Sequence, residues 1–192
     1  MNGACQRSYA PVALALLLAA CASPALKLYA LPAAPQDPGP PPQRPAGPVI
    51  VVDRVSLPAY LDTQDLVVRR GDVLERSPTG RWASRRSVGA TDFLTDRLAM
   101  RRPDALVTNV MPAGEPDYEI RIHVSKLDVT SSGAAAVVAD WQIIPRATRG
   151  PVVRDQIRFT MQGSVENDQS IARFEAQLLE RLAAAIDISS LR

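Results

Sequence analysis

Three long segments between Tyr118 and Met161 constrain the fold more than any other part of the chain. Tyr118, Ile120, Ile122 and Val124 alternate with Glu119, Arg121 and His123, the period-two pattern of a strand with one buried face and one wet face. The apolar phase then slips to Leu127 and Val129, which predicts a bulge near Ser125-Lys126. Ser131-Ser132-Gly133 supplies a turn into a strand over 134–144, and Thr148-Arg149-Gly150 a turn into a strand over 152–161. Strands joined by turns this short run antiparallel, so the segment is expected to be a meander.

The elements before it read as a mixed set. A short strand fits Leu26, Leu28 and Ala30, and the β-branched run from Val49 to Val55 is of strand length. Leu66–Arg70 and Val73–Ser77 are expected to pair through a Gly71-Asp72 hairpin turn, with Pro78-Thr79-Gly80 as a further turn and Trp82 at the sheet edge. A helix is predicted from Ser87 or Thr91 to about Arg102, with Ala90, Phe93, Leu94 and Leu98 on its apolar face and Pro103 ending it. Ala105–Thr108 is the next strand, and strand, helix and strand in this order suggest a crossover with parallel pairing. A last helix, capped by Asn167 or Asp168, buries Ile171, Phe174, Leu178, Leu182 and Ile186. The expected class is α/β: a single domain with a mixed β-sheet, an antiparallel meander and two main amphipathic helices.

Ahead of these elements lies a leader. Arg7 precedes an apolar run, Val12 to Ala20, which is too short for a spanning helix of ~20 residues. Leu18-Ala19-Ala20-Cys21 resembles the bacterial lipobox, in which the cysteine is acylated and becomes the new N-terminus. A conventional cut at Ala20 would instead leave a free thiol. The lipobox reading divides the chain into a signal peptide (1–20), a lipidated N-terminus with a proline-rich segment (21–48) and a folded domain (49–192). Eight prolines fall among the seventeen residues from Pro32 to Pro48. Such a tract forms loop or polyproline II and serves either as a spacer or as a loop inserted between two strands. Cys5 and Cys21 are the only cysteines, so the mature chain has no thiol pair for a disulfide or a thiolate metal site.

The residues that carry chemistry elsewhere are thinly spread. His123 is the only histidine and sits on the polar phase of its strand; no GxSxG elbow accompanies it. Glu115, Asp117 and Glu119, or Glu166 and Asp168, read as solvated acidic edges with at most weak calcium affinity. No catalytic residue and no metal site are assigned. Without Arg7 the mature chain has 21 basic and 20 acidic residues, which gives no general case for nucleic acid. The charges are nonetheless uneven. Residues 69–102 hold nine arginines against four acids, and residues 103–192 nine basic residues against twelve acids. Trp82 beside Arg81, Arg85 and Arg86 is the first place to look for a protein contact; the alternative is a solvated charged surface.

Taken together, Leu18–Cys21, Tyr29-x-Leu31, the run Val51–Asp62 with its Leu57-Pro58-Ala59-Tyr60-Leu61 core, Leu66–Arg69, Arg81-Trp82-Ala83, Asp117-Tyr118 and Trp141 resemble the PqiC-like, or ABC-type transport auxiliary, lipoproteins. The resemblance implies a domain similar to the N-terminal domain of the TolB periplasmic protein. It also implies a non-enzymatic role beside an integral-membrane permease and a periplasmic mammalian-cell-entry (MCE) domain protein, in lipid transport across a Gram-negative envelope. Cys21 would carry a diacylglycerol and an N-acyl chain, such as palmitate, with no other cofactor. Ala22 after it fits sorting to the outer membrane. A lipid-binding module and a structural lipoprotein touching the cell wall are the alternative roles.

Overall fold

The computed structural model describes residues 25–33, 47–147 and 150–192. Its larger sheet has five strands in the order β5-β2-β6-β7-β8: β2 (Val49–Val52), β5 (Leu106–Thr108), β6 (Tyr118–Val129), β7 (Ala134–Pro145) and β8 (Val153–Gln162). The expected meander is present. Ile122 lies opposite Trp141, Ala139 lies opposite Ile157, and the register slips between Val124 and Lys126, where the phase change placed the bulge. Gly133, at φ +81°, closes the turn between β6 and β7 in a conformation that other residues rarely adopt. Alternation puts Ile120, Ile122, Val124, Val137, Trp141 and Ile143 in the core, while Arg121 and His123 face solvent. β2 runs parallel to both β5 and β6, with Ile50 opposite Val107 on one side and Tyr118 on the other.

The two helices among the described residues cover the buried face of this sheet. Helix α1 (Arg86–Arg101) contributes Ala90, Phe93, Leu94 and Leu98, and α2 (Asp168–Ala185) contributes Phe174, Leu178, Leu179 and Leu182. Each fully buried leucine stabilises the fold by roughly 1.5–3 kcal/mol through burial alone. Asn167 caps α2: its side chain accepts from the Ser170 amide at 2.9 Å, and Ser170 Oγ accepts from the Asn167 amide at 3.0 Å. The arginines that end α1 serve the far end of α2. Arg101 Nη1 donates to the Ala183 and Ile186 carbonyls at 2.7 and 3.0 Å, and Arg102 Nη2 to Leu191 O at 3.0 Å. Cations there satisfy orphan carbonyls and oppose the negative end of the helix dipole.

A second sheet departs from expectation. It has three strands in the order β1-β4-β3: β1 (Lys27–Tyr29), β3 (Asp65–Arg70) and β4 (Val73–Trp82). Strand β4 does not end at Pro78. Its pairing with β3 jumps from Val67–Arg76 to Asp65–Arg81, so residues 77–80 bulge out, and Ser77 Oγ accepts from the Thr79 and Gly80 amides at 3.1 and 2.9 Å. The turn chemistry is there, but the chain resumes its direction because β1 pairs in parallel with Gly80, Arg81 and Trp82. Trp82 therefore lies on the central strand, not at an edge. It is buried with Leu66 against Ile171 and Ala172 of α2. Strand β1, upstream of the proline tract, pairs with β4 in this small sheet. In chain order the tract joins β1 to β2; residues 34–46 of it lie outside the described residues, as do Cys5, Cys21 and the turn residues Thr148 and Arg149.

Candidate functional site

The run Val51–Asp62 wraps the start of α1. Val55 donates its amide to Thr91 Oγ1 at 2.9 Å, and Thr91 Oγ1 donates in turn to Ser87 O at 2.6 Å. Arg85, the residue before the helix, offers no side-chain cap. Asp62 supplies it from a distance, accepting from the Ser87 amide at 3.1 Å and from Arg85 Nη1 at 3.3 Å. Burial alone would raise the pKa of Asp62; the Ser87 hydrogen bonds and the charges of Arg85 and Arg54 outweigh it and hold the carboxyl below its ordinary value.

This collar fixes Arg86 pointing inward. Its guanidinium stacks over the Trp82 ring at 5.7 Å from the centroid, and Nη2 donates to Glu175 Oε1 at 3.0 Å. The side chains of Arg86 and Glu175 are only 5% and 3% exposed. Burial pushes the Glu175 carboxyl above the usual glutamate range, and Arg86 pulls it part of the way back. Beside the pair is a cavity of about 200 Å³ between β1, β4, α1 and α2, walled by Leu31, Leu57, Trp82, Phe93 and Leu179. Trp82 Nε1 and Arg86 Nε, both on lining residues, have no acceptor among the described residues.

The four residues singled out for a protein contact divide into two pairs. Arg81 and Arg85 have side chains 48% and 64% exposed, paired with Asp65 and Asp62 respectively. Trp82 and Arg86 are inside, so neither offers a surface. Glu175 was absent from the sequence reading. Its position, four residues after Ile171 and three before Leu178, places a charge on the apolar stripe of α2, and that is the signal that finds it.

Elsewhere the polar groups are committed to structure. Asp117 Oδ2 accepts from the Val49 amide at 2.8 Å, and Thr79 Oγ1 donates to Asp168 Oδ2 at 2.8 Å. Glu119 is 6% exposed and held by Arg121 and Arg146. Burial alone would raise its pKa, but hydrogen bonds from Arg146 and Arg121 bring it below the ordinary glutamate value. Among the described residues no three His, Cys, Asp or Glu side chains are grouped to hold a metal ion. None of the described helices is long and apolar enough to cross a membrane.

An α/β domain of two sheets and two helices, with a short parallel strand ahead of a long antiparallel meander, is the fold class this chain adopts. It belongs to the family described as ABC-type transport auxiliary lipoprotein component, which matches residues 29–187. The resemblance to PqiC-like lipoproteins is thus a membership. A solved structure of an uncharacterized protein superimposes with a TM-score of 0.68 at 16% identity, over 83% of this chain and 95% of that one. A Xanthomonas campestris protein of the DUF330 family gives a TM-score of 0.56 at 18% identity, over 82% and 90%. These two share the fold. Curated proteins yield no match.

Proposed function

We propose that this chain is an outer-membrane lipoprotein, anchored through Cys21, that serves as the non-enzymatic auxiliary subunit of an MCE-type intermembrane lipid transport system. The domain docks a periplasmic MCE-domain protein that works with an integral-membrane permease. The observation that carries the reading is the family match over nearly the whole folded region, with Leu18-Ala19-Ala20-Cys21 ahead of it. Arg81 and Arg85 give the docking surface its exposed charge, and an acidic face on the partner fits them. Crosslinking of the native protein in isolated envelopes, followed by mass spectrometry, tests the proposal. The expected result is recovery of an MCE-domain protein together with its permease. Recovery of cell-wall or unrelated outer-membrane proteins alone overturns it. Cys21→Ala is expected to release a folded protein into the periplasm; a variant that still floats with outer-membrane vesicles refutes the anchor.

A further inference from the structure

An open sheet edge offers unpaired backbone groups to any chain that arrives in extended form, and folded proteins usually shorten or cover such edges. Three of the four edges here are managed in that way. Strands β1 and β5 have three residues each, and β3 is met at Arg69, where the Ser131 amide donates to Arg69 O at 2.9 Å. The fourth, β8, runs for ten residues, holds no proline and keeps one unbroken register against β7. Among the described residues no strand pairs with its outer side.

The register fixes what that side presents. Gly163 donates its amide to Gly133 O at 2.9 Å, which makes the two a hydrogen-bonded pair. Such pairs alternate along an antiparallel ladder. The odd-numbered residues from Val153 to Met161 therefore turn their backbone groups to β7, and the even-numbered ones from Arg154 to Gln162 turn theirs outward. Asp155 Oδ1 closes one outward amide, accepting from Gln156 at 2.7 Å. Among the described residues the outward amides of Arg158, Thr160 and Gln162 have no such acceptor. Charge narrows the occupant. Arg154 and Arg158 are exposed on the wet face of the strand, and neither forms an ion pair with Asp140, opposite Gln156 on β7, or with any other described residue. On the other face Ile157, Phe159 and Met161 pack partly buried against the core. A second copy laid along β8 would bring two more unpaired arginines to the wet face, and like charges across a strand pair are destabilising. Acidic residues there do the opposite.

We propose that β8 takes up an extended segment of a partner protein in which acidic and apolar residues alternate, added to the five-stranded sheet as a further strand. Its acids face Arg154 and Arg158, and its apolar residues prolong the row of Ile157 and Phe159. The inference is independent of the transport role and is tested on the purified full chain. The probe is a short peptide, blocked at both ends, in which valine alternates with glutamate; the control has lysine in place of glutamate. Fluorescence anisotropy is expected to show saturable binding of the glutamate peptide, about tenfold or more tighter than the lysine peptide. Amide exchange followed by NMR should slow at Arg158, Thr160 and Gln162 when the glutamate peptide binds. Thr160→Pro removes one outward donor at an edge position that tolerates proline, and should weaken the glutamate peptide about tenfold. Arg158→Glu leaves the backbone edge intact and should cut the preference for glutamate about fivefold or more. Three outcomes on the wild type overturn the proposal whether or not the variants fold: no saturable binding, equal affinity for the two peptides, or protection confined to other strands. A wild-type dimer that protects the same three amides without peptide assigns the edge to a second copy and overturns it as well.

Discussion

The meander β6–β8 and the corner where β4 meets α1 are built on different terms. In the meander, apolar side chains alternate into the core, and none of its buried side-chain polar atoms lacks a partner among the described residues. Of the four described ones that do, Trp82 Nε1, Arg86 Nε and Ser87 Oγ lie in the corner, and Thr95 Oγ1 lies further along α1. The corner also holds the Arg86–Glu175 ion pair and the cavity. A fold that gathers most of its unmet polar groups in one corner gives up stability there, as binding and switching sites commonly do. The meander supplies the stability that lets the corner be imperfect.

The contrast can be broken hardest at Glu175. Replacing it with leucine leaves Arg86 charged and buried with no counter-ion, which is expected to cost about 3–5 kcal/mol in denaturant unfolding. The double variant Arg86→Met, Glu175→Leu should recover most of that loss. If the single variant is as stable as the wild type, the pair is not buried as described. Asp62→Ala tests the collar at the start of α1 and should cost about 1 kcal/mol, the worth of a lost N-cap. Its pH dependence has a definite sign. Because the folded carboxyl titrates below the ordinary 3.8, its contribution is fully present above that pH and is lost as pH falls through the lower folded value. Asp62→Asn should therefore flatten the acid limb of the stability profile, and an unchanged limb contradicts the assignment. The smallest change tests the meander. Ile122→Val, one methyl group removed from the buried face of the meander, should cost about 0.5–1.5 kcal/mol in denaturant unfolding, and no measurable loss contradicts the packing described.

The same division governs what could be read from sequence. The meander was legible because period two, a one-residue phase slip and glycine turns are local signals: the bulge at Ser125 follows from them, as both helix faces follow from the equally local helical period. The small sheet was not legible, because its decisive contact is non-local. Lys27–Tyr29 pairs with Gly80–Trp82 from the far side of the proline tract, and nothing near Pro78 announces that the strand resumes after its bulge. Trp82 stands out in the sequence, but its burial on a central strand depends on that same non-local pairing. Arg86 looked like one more surface arginine because its partner, Glu175, lies on another helix. The motif Val51–Asp62 stands out in the sequence, but its physical task, capping α1 through Asp62 and tying Val55 to Thr91, is visible only in the fold.

The place of β1 ahead of the proline tract has a consequence for how the molecule sits on its membrane. Six positions separate Cys21 from Lys27. At ~3.3–3.6 Å per residue they reach at most about 20 Å. With lipid on Cys21, as proposed, the seventeen residues of the tract add nothing to that reach, because they follow the first strand. The domain is then moored on a short line, confined to a thin layer above the bilayer and limited in how far it can turn. A partner arriving from the other membrane meets it at a high local concentration within that layer. In the proposed system, bridging the rest of the gap would fall to the partner.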